Sequence, residues 1–127
     1  MKCVRGEDDY NGQKNFVDAM TRTAHDYNVH IHLVHHLRKE DGKAAEKMPS
    51  KMDVKGSGAI TDLVDNVLIL WRNKEKERLA ESKKPFDRDD PDAILICDKQ
   101  RNGEWEGRTK LWYSRTSMRY SDVPRTV

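Results

Sequence analysis

The stretch Lys55-Gly56-Ser57-Gly58-Ala59-Ile60-Thr61-Asp62-Leu63-Val64-Asp65-Asn66-Val67-Leu68-Ile69-Leu70-Trp71 decides the fold. Two glycines around a serine read as a turn into a short helix, with Ser57 the expected cap. Ala59, Ile60, Leu63 and Val64 then fall on one helical face. Val67 to Trp71 follows as an unbroken apolar run, too short for a helix and of the kind used by a parallel strand covered on both faces. A helix leading straight into a buried strand is α/β layering.

Working outward, residues 12 to 28 carry Phe16, Val17, Met20, Ala24 and Tyr27 at spacings of three and four, an amphipathic helix that ends near Asn28, a residue tolerant of the left-handed conformation. Val29, Ile31 and Leu33 alternate with His30 and His32, which predicts a strand over Val29 to Leu37. Between residues 38 and 55 hydrophobic periodicity stops. Arg38, Lys39, Lys43, Lys47, Lys51 and Lys55 make this a long basic loop, diluted by Glu40, Asp41, Glu46 and Asp53. Residues 73 to 92 are densely charged and contain Pro85 and Pro91, so they read as a poorly ordered, exposed excursion with room for one helical turn. Ala93 to Asp98 is a further short apolar strand. Asn102-Gly103 turns it into Arg108 to Tyr113, an antiparallel hairpin. The expected architecture is α/β, parallel strands continued by an antiparallel C-terminal hairpin.

The 127 residues suit one domain, and the charged fraction of 36% leaves a net charge of only +2. A uniformly basic nucleic-acid coat is excluded, so any contact with DNA must come from local clusters. The longest apolar run is far below the roughly 20 residues that span a bilayer, and no apolar leader follows Met1. Cys3 and Cys97 do not make a disulfide framework. A cytoplasmic protein with no membrane partner is expected.

Three clusters carry chemistry. His30, His32, His35 and His36 fall within seven residues. On a strand, His30, His32 and His36 would share one side, which suits either a three-histidine metal site or partly exposed sheet histidines. The sequence identifies no carboxylate or cysteine to complete a metal site, which favours the second. His36 differs, because it ends its strand where α/β sheets place ligand groups, and an imidazole there can donate to a phosphate. Lys99 and Arg101, two apart before the Asn-Gly turn, suit either a phosphate clamp or a solvated pair closing the hairpin. The basic loop suits sequence-independent phosphate contact or plain solvation. The phosphate-loop pattern G-x-x-x-x-G-K-[ST] is absent from the chain, as are nucleophile-elbow, zinc-helix and Cys-x-x-Cys patterns.

Taken in order, LVHHLRK (33 to 39), the basic loop, KGSGAITDLVDNVLILWRN (55 to 73) and ICDKQRNGEWEG (96 to 107) resemble the C-terminal part of the RecA-type motor domain of hexameric replicative helicases, the DnaB family and the phage primase-helicases. The resemblance runs collinearly over most of residues 12 to 113. It implies that residues 1–127 are the C-terminal portion of a RecA-like (P-loop NTPase) helicase motor domain used in DNA replication. His36 would be the polar switch that senses the γ-phosphate. Residues 38 to 55, with Arg38, Lys39, Lys43, Lys47, Lys51, Lys55 and Gly56, would form a loop facing single-stranded DNA. Lys99 and Arg101 would reach the nucleotide of the neighbouring subunit in a homohexamer, the arginine as a finger in trans.

The resemblance also sets expectations about what the chain lacks. ATP and Mg2+ would serve the full-length motor and none would be bound by this chain alone, because the segments carrying the Walker motifs would precede Met1. The chain is thus expected to be a truncation, inactive by itself. The rival reading is a small non-enzymatic DNA-binding or helicase-associated module that keeps the basic loop.

Overall fold

The structure is a computed structural model that describes residues 4–6, 8–37, 48–55 and 58–124. The chain divides into two compact units, Met1–Val67 and Leu68–Val127.

In the first unit, α1 spans Tyr10–Asp26. It starts two residues earlier than the apolar pattern because Asp9 caps it: the carboxylate accepts the backbone N–H groups of Gly12 and Arg5, each at 3.0 Å. Those two bonds favour the ionised form and hold the Asp9 carboxyl below its usual range. The helix stops where expected. Asn28 takes φ 50°, its N–H donates to His25 O, and the Val29 N–H donates to Ala24 O at 3.0 Å. That is a Schellman cap with asparagine in the left-handed position. Val17 on α1 is buried, and α1 packs against α2, Ala59–Leu63, which buries Ile60 and Thr61. Gly58 stands at the N-cap of α2 with no side-chain bond. Ser57, the expected cap, lies outside the described residues.

The strand expected over Val29 to Leu37 is not present. Val29 through His36 carry no ladder, and Val29, Ile31, Leu33 and Val34 are all exposed. Alternation creates a face that can be buried, but a strand exists only when a neighbour accepts its backbone groups. Here the first such neighbour is met at Leu37, which bridges Val54 in antiparallel fashion.

The second unit is built on a four-stranded sheet in the order β1 (Asn66–Arg72), β2 (Ala93–Gln100), β3 (Gly107–Ser114), β4 (Arg119–Ser121). β1 begins two residues before the boundary between the units. The β2–β3 hairpin forms as the Asn-Gly turn predicts, with Ala93 opposite Leu111 and Cys97 opposite Gly107. β3 continues into β4 with Trp112 opposite Ser121.

The parallel pairing expected for Val67 to Trp71 is not what this strand does. The Asn73 N–H donates to Asp92 O at 2.9 Å, so the end of β1 lies beside the start of β2, and the sheet is antiparallel. Nor is β1 covered on both faces. Val67 and Ile69 are buried while Leu68 and Leu70 are more than half exposed, the two-residue alternation of a sheet with one packed face. Ile69, Ala93, Ile94, Ile96 and Cys97 supply its core.

Residues 73 to 92 hold more structure than their charge suggests. α3 spans Lys74–Glu81, capped by Asn73, whose side-chain oxygen accepts the Lys76 N–H at 3.1 Å. Lys76 is buried. Its ammonium bonds Asp90 O, reaches Arg88 O at 3.5 Å and pairs with the Asp92 carboxylate at 3.0 Å. A buried cation requires such partners, and here they fasten the charged segment to the helix. Asp92 is the hub of the unit: its other carboxylate oxygen accepts the Tyr113 N–H at 2.7 Å, and its own N–H donates to Leu111 O.

Arg72, at the end of β1, grips Glu77 of α3 with two bonds of 2.7 and 2.8 Å. The guanidinium holds the Glu77 carboxyl below the ordinary glutamate range. Because the folded carboxyl titrates below the unfolded one, the pair's contribution is present at neutral pH and fades as pH falls through the folded value. Both groups face solvent, so the effect on stability is small. In an NMR titration the Glu77 carboxyl is expected to have a midpoint below the ordinary glutamate value, and R72M to bring it back. A midpoint in parent protein equal to that in R72M would contradict the pairing.

Candidate functional site

Two groups of residues bear the chemistry read from the sequence, one in each unit. In the first, the ends of the basic loop are drawn into a neck. Leu37 bridges Val54, the Lys55 N–H donates to His36 O at 3.0 Å, and the His35 imidazole bonds Lys55 O. On the returning side a capping box stiffens the chain: Ser50 Oγ accepts the Met52 N–H at 3.2 Å, and the Asp53 carboxylate accepts the Ser50 N–H at 2.7 Å. The turn it closes, Lys51–Asp53, leads directly into Val54 and the neck.

His36 therefore stands at the root of the loop with its side chain exposed, adjacent to the bridge. Lys51 lies exposed on the turn, and Lys55 is half-buried in the neck itself. Arg38, Lys39, Lys43, Lys47 and Gly56 lie outside the described residues. The sequence pointed to His36 and passed over His35, whose partner is twenty residues away and leaves no local signal.

A second pairing was also hidden. His25, in the last turn of α1, meets the Asp65 carboxylate at 3.2 Å and ties the helix to the residue before β1, as an ion pair when the imidazole is protonated.

In the second unit, Lys99 sits near the end of β2, half-buried, and Arg101 is exposed in the turn that follows Gln100. The two cations were expected to project together from a strand. Instead the strand carries the lysine and the turn carries the arginine, because the chain begins to reverse at Arg101 ahead of Asn102-Gly103.

The sequence has no phosphate-loop pattern, and the five-residue helix that follows Gly58 opens with Ala59 and Ile60 in place of the lysine and hydroxyl that such a loop needs. Among the described residues no three His, Cys, Asp or Glu side chains converge as metal ligands. His30 and His32 meet edge to face, ring centres 4.4 Å apart, and both are exposed. What the two groups offer is exposed His36, Lys51 and Arg101 beside half-buried Lys55 and Lys99, side chains whose chemistry can bond phosphate.

Among the described residues the chain thus combines three α-helices, a four-stranded antiparallel sheet and exposed cations and imidazoles. A family model for the DnaB-like helicase C-terminal domain matches residues 5–122. The chain belongs to the DnaB-like helicase C-terminal domain family, whose fold is RecA-like. A comparison with curated proteins found no match. Among the described residues no helix is long and apolar enough to cross a membrane.

Proposed function

We propose that this chain supplies the phosphate-sensing, DNA-facing and trans-acting parts of an ATP-driven replicative helicase motor, and that the nucleotide is cradled by another stretch of polypeptide. In this reading the basic loop over residues 38 to 55, with Gly56 beside it, contacts single-stranded DNA through Arg38, Lys39, Lys43, Lys47, Lys51, Lys55 and Gly56. His36 links phosphate state to that loop. Lys99 and Arg101 meet the phosphates of a nucleotide held by the neighbouring subunit of a hexameric ring. The charged segment 73 to 92 is given no part in these contacts and is fastened to α3 by Lys76.

The observation that carries the reading is the neck. The His36 carbonyl accepts the Lys55 N–H and its neighbour Leu37 is bridged to Val54, so the backbone at His36 is tied to both roots of the basic loop. A short, hydrogen-bonded link of that kind is what couples occupancy of one site to the position of another. Single-strand binding has its chemistry in the loop cations, whose phosphate contacts need no defined sequence. Charge delivered across a subunit interface has its chemistry in Arg101, an exposed guanidinium on a tight turn.

The simplest test uses the purified 127-residue chain. Without a phosphate loop it should not hydrolyse ATP above background, with or without single-stranded DNA. Turnover by this chain that is abolished by K99A would contradict the reading.

A further inference from the structure

The ties that close the neck of the basic loop differ in kind. Leu37 bridges Val54, and the Lys55 N–H donates to His36 O at 3.0 Å, both through backbone groups that other residues would supply equally well. A third tie is made by a side chain: the His35 imidazole bonds Lys55 O through Nε2. A carbonyl oxygen can only accept, so Nε2 carries a proton and donates it. Both backbone polar groups of Lys55 are therefore engaged by the other root of the loop, the N–H by His36 and the C=O by His35.

Val29 through His36 carry no ladder, so among the described residues this root of the loop is held by the neck rather than by a sheet. His35 is itself exposed, and its partner lies twenty residues away across the loop. Joining the two roots before a ligand arrives removes chain freedom that binding would otherwise have to remove. A loop closed in advance therefore binds more tightly for the same set of contacts.

We infer that His35 is the positioning residue of the basic loop: its bond to Lys55 O holds the two roots together and raises the loop's affinity for single-stranded DNA without touching the strand. This rests on the reading of residues 38 to 55 as DNA-facing. It gives the two neighbouring histidines separate tasks, since His36 enters the neck through its carbonyl and His35 through its ring.

The test uses the 127-residue chain and two variants: H35L, which keeps bulk and lacks a donor, and H35Q, whose amide N–H has about the reach of Nε2. In the free protein, amide exchange at Lys55 reports the neck, because that N–H donates to His36 O. H35L should exchange there about 5- to 10-fold faster than the parent, and H35Q at close to the parent rate. Unchanged exchange over Tyr10–Asp26 shows that each variant is folded. In fluorescence anisotropy with a deoxythymidylate oligomer, H35L should bind about 3- to 10-fold more weakly and H35Q should recover most of the affinity. The slope of log affinity against log salt should be the same in all three, because the number of phosphate contacts does not change.

Each part can fail separately. Lys55 exchange in H35L equal to that of the parent overturns the closure of the neck by His35. Faster exchange with unchanged affinity overturns its role in binding, and H35Q binding as weakly as H35L overturns the donated bond as the cause. A slope flattened by about 0.7 in both variants means that His35 meets a phosphate directly, which overturns positioning. A parent chain with no affinity for the oligomer overturns the DNA-facing reading and this role with it, while the exchange rates still tell whether His35 closes the neck.

Discussion

Replacing Arg101 by alanine, in a ring whose subunits join this sequence to a phosphate loop, is expected to lower ATP turnover by about a thousandfold or more. The γ-phosphoryl group gains negative charge on its outer oxygens as it transfers, and a guanidinium placed there lowers the barrier without forming a covalent bond. The effect belongs to the transition state. Nucleotide affinity in R101A should therefore stay within a few-fold of the parent, with nearly all the loss in kcat. R101K should recover little, because an ammonium cannot reproduce the planar fork of a guanidinium. A loss confined to KM, or a fully active R101A ring, would remove Arg101 from the chemistry. Lys99 is half-buried where Arg101 is exposed, so K99A should have the smaller effect on turnover.

The second large effect concerns the loop. Neutralising Lys39, Lys43 and Lys47 together should weaken binding to a single-stranded oligonucleotide by about a hundredfold at about 0.1 M salt, since each phosphate contact releases roughly 0.7 of a counterion on a single strand. The same triple variant should flatten the plot of log affinity against log salt by about 2 units. Fluorescence anisotropy across a salt series measures both. An unchanged slope in the variant would show that these lysines are solvated and that the DNA contact lies elsewhere. The distinction matters because the whole chain carries a net charge of only +2. A bulk electrostatic attraction is not available to substitute for the loop.

The elements legible in the sequence are those whose signals are local. The end of α1 could be read from Asn28 because a left-handed residue after a helix is chemically marked, and the β2–β3 hairpin from Asn102-Gly103 because only a few residue types accept that turn. The elements that were misread depend on distant partners. Val29 to His36 has the alternation of a strand and no ladder, since pairing is a property of two segments and the sequence displays one. α3 is hidden by its own charge. Its stability comes from the Asn73 cap and from Lys76 reaching Asp90 and Asp92, contacts that no periodicity announces.

The same division holds for the candidate site. His36, Lys99 and Arg101 could be singled out by residue type and by their place near strand ends, and the resemblance sharpened them. The neck could not be foreseen, because it joins His35, His36 and Leu37 to Val54 and Lys55 across the whole basic loop. The His25–Asp65 pair was equally out of reach, spanning forty residues. The pattern is physical: capping and turn chemistry act within four residues, while buried charge and ladder bonds are settled only by the tertiary fold.

If Arg101 serves a nucleotide held by the neighbouring subunit, rings of mixed subunits should show it. One subunit type carries an intact phosphate loop and R101A. The other carries Arg101 and a phosphate loop whose lysine has been replaced. Rings of either type alone should be inactive. In mixed rings an intact phosphate loop meets an intact Arg101 across some interfaces, so ATP turnover should reappear and should peak at intermediate mixing ratios. Turnover that stays at background at every ratio, with ring formation verified by mass, would show that Arg101 does not act across the interface.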